Sequence, residues 1–395
     1  MEYNPFTPEV KANPYPYYTH LRHHAPVFQV KDAGFWAVSR YDDVLYVLKN
    51  PQLFSSTILL TALVGDLNPV PEAANLIASD PPVHSRLRKL ANRAFTPRMI
   101  STLEPRLREI TTELLSAVAP RGEFDLVHDL STPLPVIAIA EMLGVEAADR
   151  ANFKRWSDDI VHAANGISGE ERELARKSVA EFRTYFQDVI EARRAAPRND
   201  LISALVKAEE EEQMLTSGEI LSLTTLLLIA GNETTTNLIG NAVLALLEHP
   251  ATLAQVEKNP ALIPQVVEEV LRYDGPVHGI FRQATQDVEL AGTTIPSGAL
   301  VFPLFASADR DENKFPNPDQ FDITRKTEGH IAFGFGIHFC LGAPLARLEA
   351  KIALQEMLGR FHHLKQKAEG FTRIDSFFLR GLKTMPLTFD TIATA

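Results

Sequence analysis

The sequence predicts a mainly α-helical protein with a smaller β-rich part, an α+β architecture. Three observations carry this expectation. Apolar residues recur at helical spacing almost throughout from Val83 to about Tyr273. Residues 280–305 switch to the alternation of strands. Two more strand-like pairs lie far from these, one near each end of the chain, so the β part must gather distant segments.

In chain order, Val27–Val30, the turn Lys31–Gly34 and Phe35–Val38 read as a β-hairpin. Asp42 and Asp43 cap a short helix, Val44–Lys49, that stops before Pro51. Residues 55–82 form a long connection rich in proline and apolar residues, the kind of loop that is usually functional or mobile rather than filler. Helices are expected over Met99–Val118, Ala138–Leu143, Glu170–Arg194, Glu219–Glu248 and Pro264–Tyr273. Glu219–Glu248 would span about 45 Å at 1.5 Å per residue. It is apolar nearly all round, which places it in the interior. Val288–Leu290, Ile295 and Val301–Leu304 with their glycine turns read as strands. A glycine-rich loop then leads into a last long helix from Ala343, and Leu379–Phe389 reads as a terminal hairpin. No internal repeat interrupts the chain, and one domain over 1–395 is expected.

Composition excludes several function classes. The 395 residues include 39 Lys and Arg against 50 Asp and Glu, a formal charge of -11 that disfavours nucleic-acid binding. The single cysteine, Cys340, rules out an internal disulfide and a cysteine-paired zinc site. Met1–Pro8 has no basic run followed by an apolar segment, so no leader or membrane anchor is expected there. The longest mostly apolar stretch, Leu221–Ala230, is well short of the roughly 20 residues that span a bilayer. A soluble, cytoplasmic protein is expected.

Chemistry concentrates around Cys340. Gly334, Gly336 and Gly342 let the loop turn tightly and approach a planar ligand. Pro344 suits the first turn of a helix, which puts Cys340 just before a helix N-terminus, where a thiolate is favoured. Two readings follow: an axial thiolate for haem iron, or a structural cysteine in the interior. A dinucleotide loop does not fit, because Phe339 stands where the third glycine belongs and no β–α–β unit surrounds it.

Four motifs in order carry a resemblance that spans essentially the whole chain. Phe333-Gly334-x-Gly336-x-His338-x-Cys340-x-Gly342 resembles the haem-binding loop of the cytochrome P450 family. Glu269-Val-Leu-Arg272 resembles the family's Glu-x-x-Arg pair, Ala230-Gly-Asn-Glu-Thr234 its oxygen-activation segment, and His84-x-x-x-Arg88 a fourth element. The arrangement is most similar to soluble bacterial members.

The resemblance implies a haem-thiolate monooxygenase fold with a long central helix over haem b. Cys340 would be the iron ligand in a loop containing Phe333 and Gly334. His84, Arg88, Arg282 and His338 would hold the propionates, and Glu269 with Arg272 would form a buried brace. Gln320 departs from the family, where Arg or His is common at that position, which makes Arg325 a candidate third member of the brace. Gly231, Asn232 and Thr234–Thr236 are poor helix formers inside a long helix, a disagreement that often marks a functional site. Breaking the O–O bond of dioxygen, the co-substrate, requires protons, for which Thr234 and Glu233 are suited as hydroxyl and carboxyl. Leu226, Ile229, Ala230, Val277, His278, Phe378 and Leu379 would line an apolar pocket, with residues 55–82 and 165–185 as its lid.

The implied substrate is an apolar molecule of terpene, steroid, macrolide-like or fatty-acid type. Electrons would come from a separate ferredoxin and its NAD(P)H-dependent reductase, since the chain shows no flavin or nicotinamide domain. Arg86, Arg88, Lys89, Arg93 and Arg98 lie in a stretch, 81–103, without Asp or Glu. With Arg88 turned inward, the remainder reads either as a dock for an acidic carrier or as a solvated helix face. A peroxide-driven enzyme of the same fold, a haem-based sensor, and a coupling or rearranging enzyme are the rival readings.

Overall fold

A computed structural model describes residues 2–59, 67–164, 169–212 and 216–391. The chain forms two compact units, one of residues 1–54, 103–134 and 234–395, the other of residues 55–102 and 135–233. Helices predominate and the strands form small sheets.

The first unit holds the sheets. In a five-stranded sheet, Phe35–Val38 pairs antiparallel with Val27–Val30 and parallel with Leu300–Pro303, which in turn pairs with Arg282–Ala284. Its sequence-local part is the expected hairpin, turned at Gly34 with φ +70°. Val288–Leu290 and Thr293–Ile295 form a second hairpin, with Ala291 and Gly292 both at positive φ as a two-residue turn requires.

The expected terminal hairpin does not form. Pro386–Thr391 lies between Glu123–Asp125 and Phe361–Gln366, while Leu382–Thr384 pairs with Thr372–Arg373. Both segments have strand character, but their partners are remote in sequence. Local alternation specifies a strand and not its neighbour.

The helices follow the sequence reading with shifted ends. The N-terminal short helix covers Tyr41–Lys49, one turn earlier than expected; Asp42 and Asp43 lie in its first turn, and Asp311 accepts from the Tyr41 N–H at 2.9 Å. The expected helix over Met99–Val118 divides into Pro97–Thr102 and Glu104–Val118, since Pro105 cannot donate into a continuing helix. The central helix, Ser217–Glu248, has 32 residues and runs from the second unit into the first. The last long helix is Ala343–Arg360, with Pro344 in its first turn. No helix of the described residues is long and apolar enough to cross a membrane.

The second unit is a helical packing around Phe153, Trp156, Phe182 and Phe186, whose rings meet mostly edge-on or tilted. The two segments expected to form a lid meet within it. Arg183 of the helix Glu170–Ala195 donates to the carbonyl of Pro69 at 2.9 Å and pairs with Glu72. Residues 60–66 and 165–168 of those segments lie outside the described residues.

Candidate active site

The cysteine loop is shaped by its glycines. Gly334 and Gly336 have φ of +71° and +72°, and a Cβ on Gly336 would meet the carbonyl oxygen of Leu48 at 2.8 Å. The loop closes on itself where the Cys340 N–H donates to the Phe333 carbonyl at 2.9 Å. Cys340 is thereby placed three residues before the helix Ala343–Arg360, with its side chain neither deeply buried nor fully exposed. His338 ends a single tight turn, Gly336–His338. Phe335 and Phe339 are 40% and 41% exposed, an unusual apolar surface for a loop of this length.

Behind the loop lies a charged cluster. Arg347 stacks over the Phe333 ring at 4.5 Å and donates to Glu268, which also pairs with His330. Although burial opposes it, these partners hold the Glu268 carboxyl down at about 2. Phe333 is thus fixed between a cation and the loop backbone.

Glu269 and Arg272 are both fully buried and bonded through two contacts of 2.8 and 2.7 Å, the geometry of a bidentate pair. Arg272 continues to the carbonyls of Asp309 and Pro318, and Glu269 accepts the Asp322 N–H at 2.9 Å. Arg325 supplies the third member, 3.4 Å from Glu269. Gln320 contributes its backbone carbonyl rather than its side chain.

The central helix carries the other half of the chemistry. It is buried along nearly its whole length, yet Leu226, Ile229, Ala230, Gly231, Glu233 and Thr234 retain accessible surface. Most follow i, i+3, i+4 spacing and so form one stripe. A Cβ on Gly231 would meet nothing within 4 Å, so open space borders the helix there. Burial pushes the Glu233 carboxyl up to about 7.

The neighbouring polar residues serve packing. Asn232 donates to Ser157 at 2.5 Å, Thr236 donates to the Ser131 carbonyl at 2.9 Å, and Thr235 lies beside Glu349. Glu349 escaped the sequence reading. It is 2% exposed, and burial raises its carboxyl to about 8. Its position between Leu345 and Ile352, on the apolar stripe of the last long helix, was the available signal.

The remaining predicted residues fall as follows. His84 is buried and Arg88 partly so on the helix Val83–Ala94, with Arg88 donating to Asn92 at 3.1 Å. Arg282 is buried at the start of its strand. Val277 bridges to Leu379, and the His278 N–H donates to the Phe378 carbonyl at 2.8 Å, so four residues about 100 apart in sequence come together. His278 lies inside the fold. Its ring is buried beside Tyr15 and Tyr18, bonded to the Tyr18 hydroxyl at 3.0 Å, and burial holds its pKa down at about 3. The basic stretch loses one member, because Arg86 is paired with Glu219 at the start of the central helix. A charged residue near a helix N-terminus found an opposite charge closer than solvent.

The glycine cradle and the single thiol at a helix start fit a flat, largely apolar prosthetic group. Known proteins agree. The cytochrome P450 family model matches residues 7–390. Cytochrome P450 CYP109Q5 from Chondromyces apiculatus superposes with a TM-score of 0.91 at 44% identity, covering 99% of this chain and 98% of that one. CYP109E1 from Bacillus megaterium, solved in complex with corticosterone, gives 0.88 at 41% identity, covering 96% and 99%. Cytochrome P450 monooxygenase PikC from Streptomyces venezuelae is 41% identical over 389 residues, 95% of this chain and 91% of its own. The loop that frames Cys340 is therefore part of a match running through nearly the entire sequence and fold, and the chain belongs to the cytochrome P450 family, monooxygenases that use O2 and a cysteine-ligated haem.

Proposed function

We propose that this monooxygenase oxidises an apolar small molecule of terpene, steroid, macrolide-like or fatty-acid type, with electrons from a separate ferredoxin and reductase. The observation that carries the reading is the stripe on the central helix. Apolar side chains at Leu226, Ile229 and Ala230 border open space one turn from a carboxyl and a hydroxyl, Glu233 and Thr234. An apolar surface recognises hydrocarbon, and the two polar groups handle protons beside it.

Cys340 would hold the haem, with His84, Arg88, Arg282 and His338 toward its propionates, and the group would supply the oxygen-activating chemistry. The protein supplies position and protons. With its carboxyl near 7, Glu233 both holds and releases a proton at neutral pH. Thr234, the next residue, places a hydroxyl on the same stripe to orient a hydrogen bond. Gly231 leaves space where any side chain would intrude. Val277, Phe378 and Leu379, brought together within one unit, offer apolar surface of the same kind, and the complex of the similar CYP109E1 with corticosterone favours a polycyclic substrate among the classes named.

Absorption of the reduced protein exposed to carbon monoxide is the first test. A strongly red-shifted Soret band is expected, and is lost in Cys340→Ser. A Soret band without that shift would overturn thiolate ligation. Thr234→Ala should then consume reduced carrier and O2 with little product while retaining peroxide-driven turnover. Equal coupling in both proteins would overturn the role of Thr234.

A further inference from the structure

The helix Tyr15–His24, in the first unit, is fastened along one side. The Tyr15 hydroxyl donates to Asp274, and Tyr18 is bonded to His278 at 3.0 Å. Arg22 donates to the Ser307 carbonyl at 3.1 Å and pairs with Glu312. Tyr18, Leu21 and Arg22 are buried by this packing. The backbone of the helix is therefore held in place by contacts that leave its histidines aside.

His20 is half-buried and His24 is exposed. Four residues apart on a helix, they share one face and are stacked one turn above the other. Their ring centres lie 4.6 Å apart, with the planes inclined at 45°. Neither ring takes part in a hydrogen bond or ion pair among the described residues, so each has the other as its neighbour. His23 stands outside this pair. It is matched with Glu312, and its ring is 6.2 Å from that of His24 and nearly perpendicular to it.

Two protonated imidazoles this close repel each other, whereas two neutral ones offer lone pairs to a single cation. Two bonds of about 2 Å to one ion put the ligating nitrogens about 3 Å apart, a separation within reach of rings with these centres. His24 is also the last residue of its helix, where the negative end of the macrodipole favours positive charge.

We propose that His20 and His24 form a surface site for a late first-row divalent metal ion, Cu2+, Ni2+ or Zn2+. Imidazole pairs at this spacing on a helix are a recurring metal-holding arrangement, and imidazole suits these three ions. Among the described residues no group of three or more ligating side chains forms, so the protein supplies two ligands and water the others. Mg2+, which prefers oxygen, is refused. The two rings are neighbours only while the helix is formed, so the ion binds the folded chain and ties the last turn to the one before it.

Calorimetric titration of the haem-loaded protein at pH 7.5 with copper, nickel and zinc chlorides, and with magnesium chloride as the control, tests this. A saturable one-to-one component is expected for the first three, tightest for Cu2+, and none for Mg2+. His20→Asn and His24→Asn should each weaken it by roughly tenfold to a hundredfold, and His23→Asn should leave it unchanged. The wild-type melting temperature should rise with saturating Zn2+, and this rise should vanish in His20→Asn. No saturable component with any of the three ions overturns the proposal, as does unchanged affinity in either His20→Asn or His24→Asn. An equal loss in His23→Asn overturns the assignment to this pair, and a wild-type melting temperature indifferent to Zn2+ overturns the helix-organised site. The carbon monoxide spectrum reports on the haem site separately, so failure here leaves the proposed function untouched.

Discussion

Arg325 lies 3.4 Å from Glu269 and donates to the carbonyls of Pro316 and Asn317, turning a pair into a buried triad with Arg272. One carboxylate faces two guanidinium groups, both of which also donate to backbone carbonyls of residues 316–320. The triad therefore pins the segment before the cysteine loop to the helix Ile263–Asp274.

The two ends of this triad should respond unequally. Glu269→Ala leaves buried Arg272 unpaired and should cost about 3–5 kcal/mol. Arg325→Ala removes the longer contact and should cost only about 1–2 kcal/mol. Urea denaturation of both variants decides; equal losses would mean that Arg325 and Arg272 share the charge of Glu269 evenly.

Glu349 makes stability fall as pH rises. Its folded carboxyl is raised to about 8 from the ordinary 4.5, so between those values the folded protein keeps a proton that the unfolded chain has released. Unfolding then becomes progressively easier up to about pH 8. Glu349→Gln keeps the shape without the titration, and at pH 8.5 should exceed the wild type by about 4 kcal/mol while matching it near pH 5. Melting curves at the two pH values give the answer, and a constant difference would reject the assignment.

Gly231→Ala should separate stability from activity. The added methyl meets no atom within 4 Å beyond its own turn of helix, and alanine is better than glycine in a helix interior by about 1 kcal/mol. The melting temperature should rise, while kcat/KM falls because the methyl occupies space beside Glu233 and Thr234. A more stable variant with unchanged turnover would show that this space is not used by reactants.

Gly381 packs against the central helix with no room for a side chain. A Cβ there would fall 1.8 Å from Oδ1 of Asn237. Gly381→Ala should cost about 1–3 kcal/mol, the usual range for overpacking. Asn237→Ala in the same chain should recover much of the loss, and a double-mutant cycle showing simple additivity would contradict the contact.

Much of the site was legible because its parts are local. Three glycines and a proline around Cys340 describe a tight loop entering a helix whatever surrounds them. Glu269 and Arg272 are one helical turn apart, so their pairing needs only a helix. The stripe Leu226–Thr234 is likewise a property of helical spacing. Arg325 was named as a candidate third partner, but nothing local distinguishes it from a surface arginine; 56 residues separate it from Glu269.

Local pattern determined the elements, the helix faces and the chemical identity of the loop, because backbone propensity and side-chain periodicity act within a few residues. Tertiary structure decided what each group meets. It assigned Pro386–Thr391 to a sheet with Glu123–Asp125, turned His278 toward Tyr18 and spent Arg86 on Glu219. It also raised Glu233 and Glu349 through burial, a desolvation set by packing rather than by neighbours in sequence. Strand partners, ion pairs and the dielectric around a carboxyl all depend on contacts between distant residues, which a linear pattern does not encode.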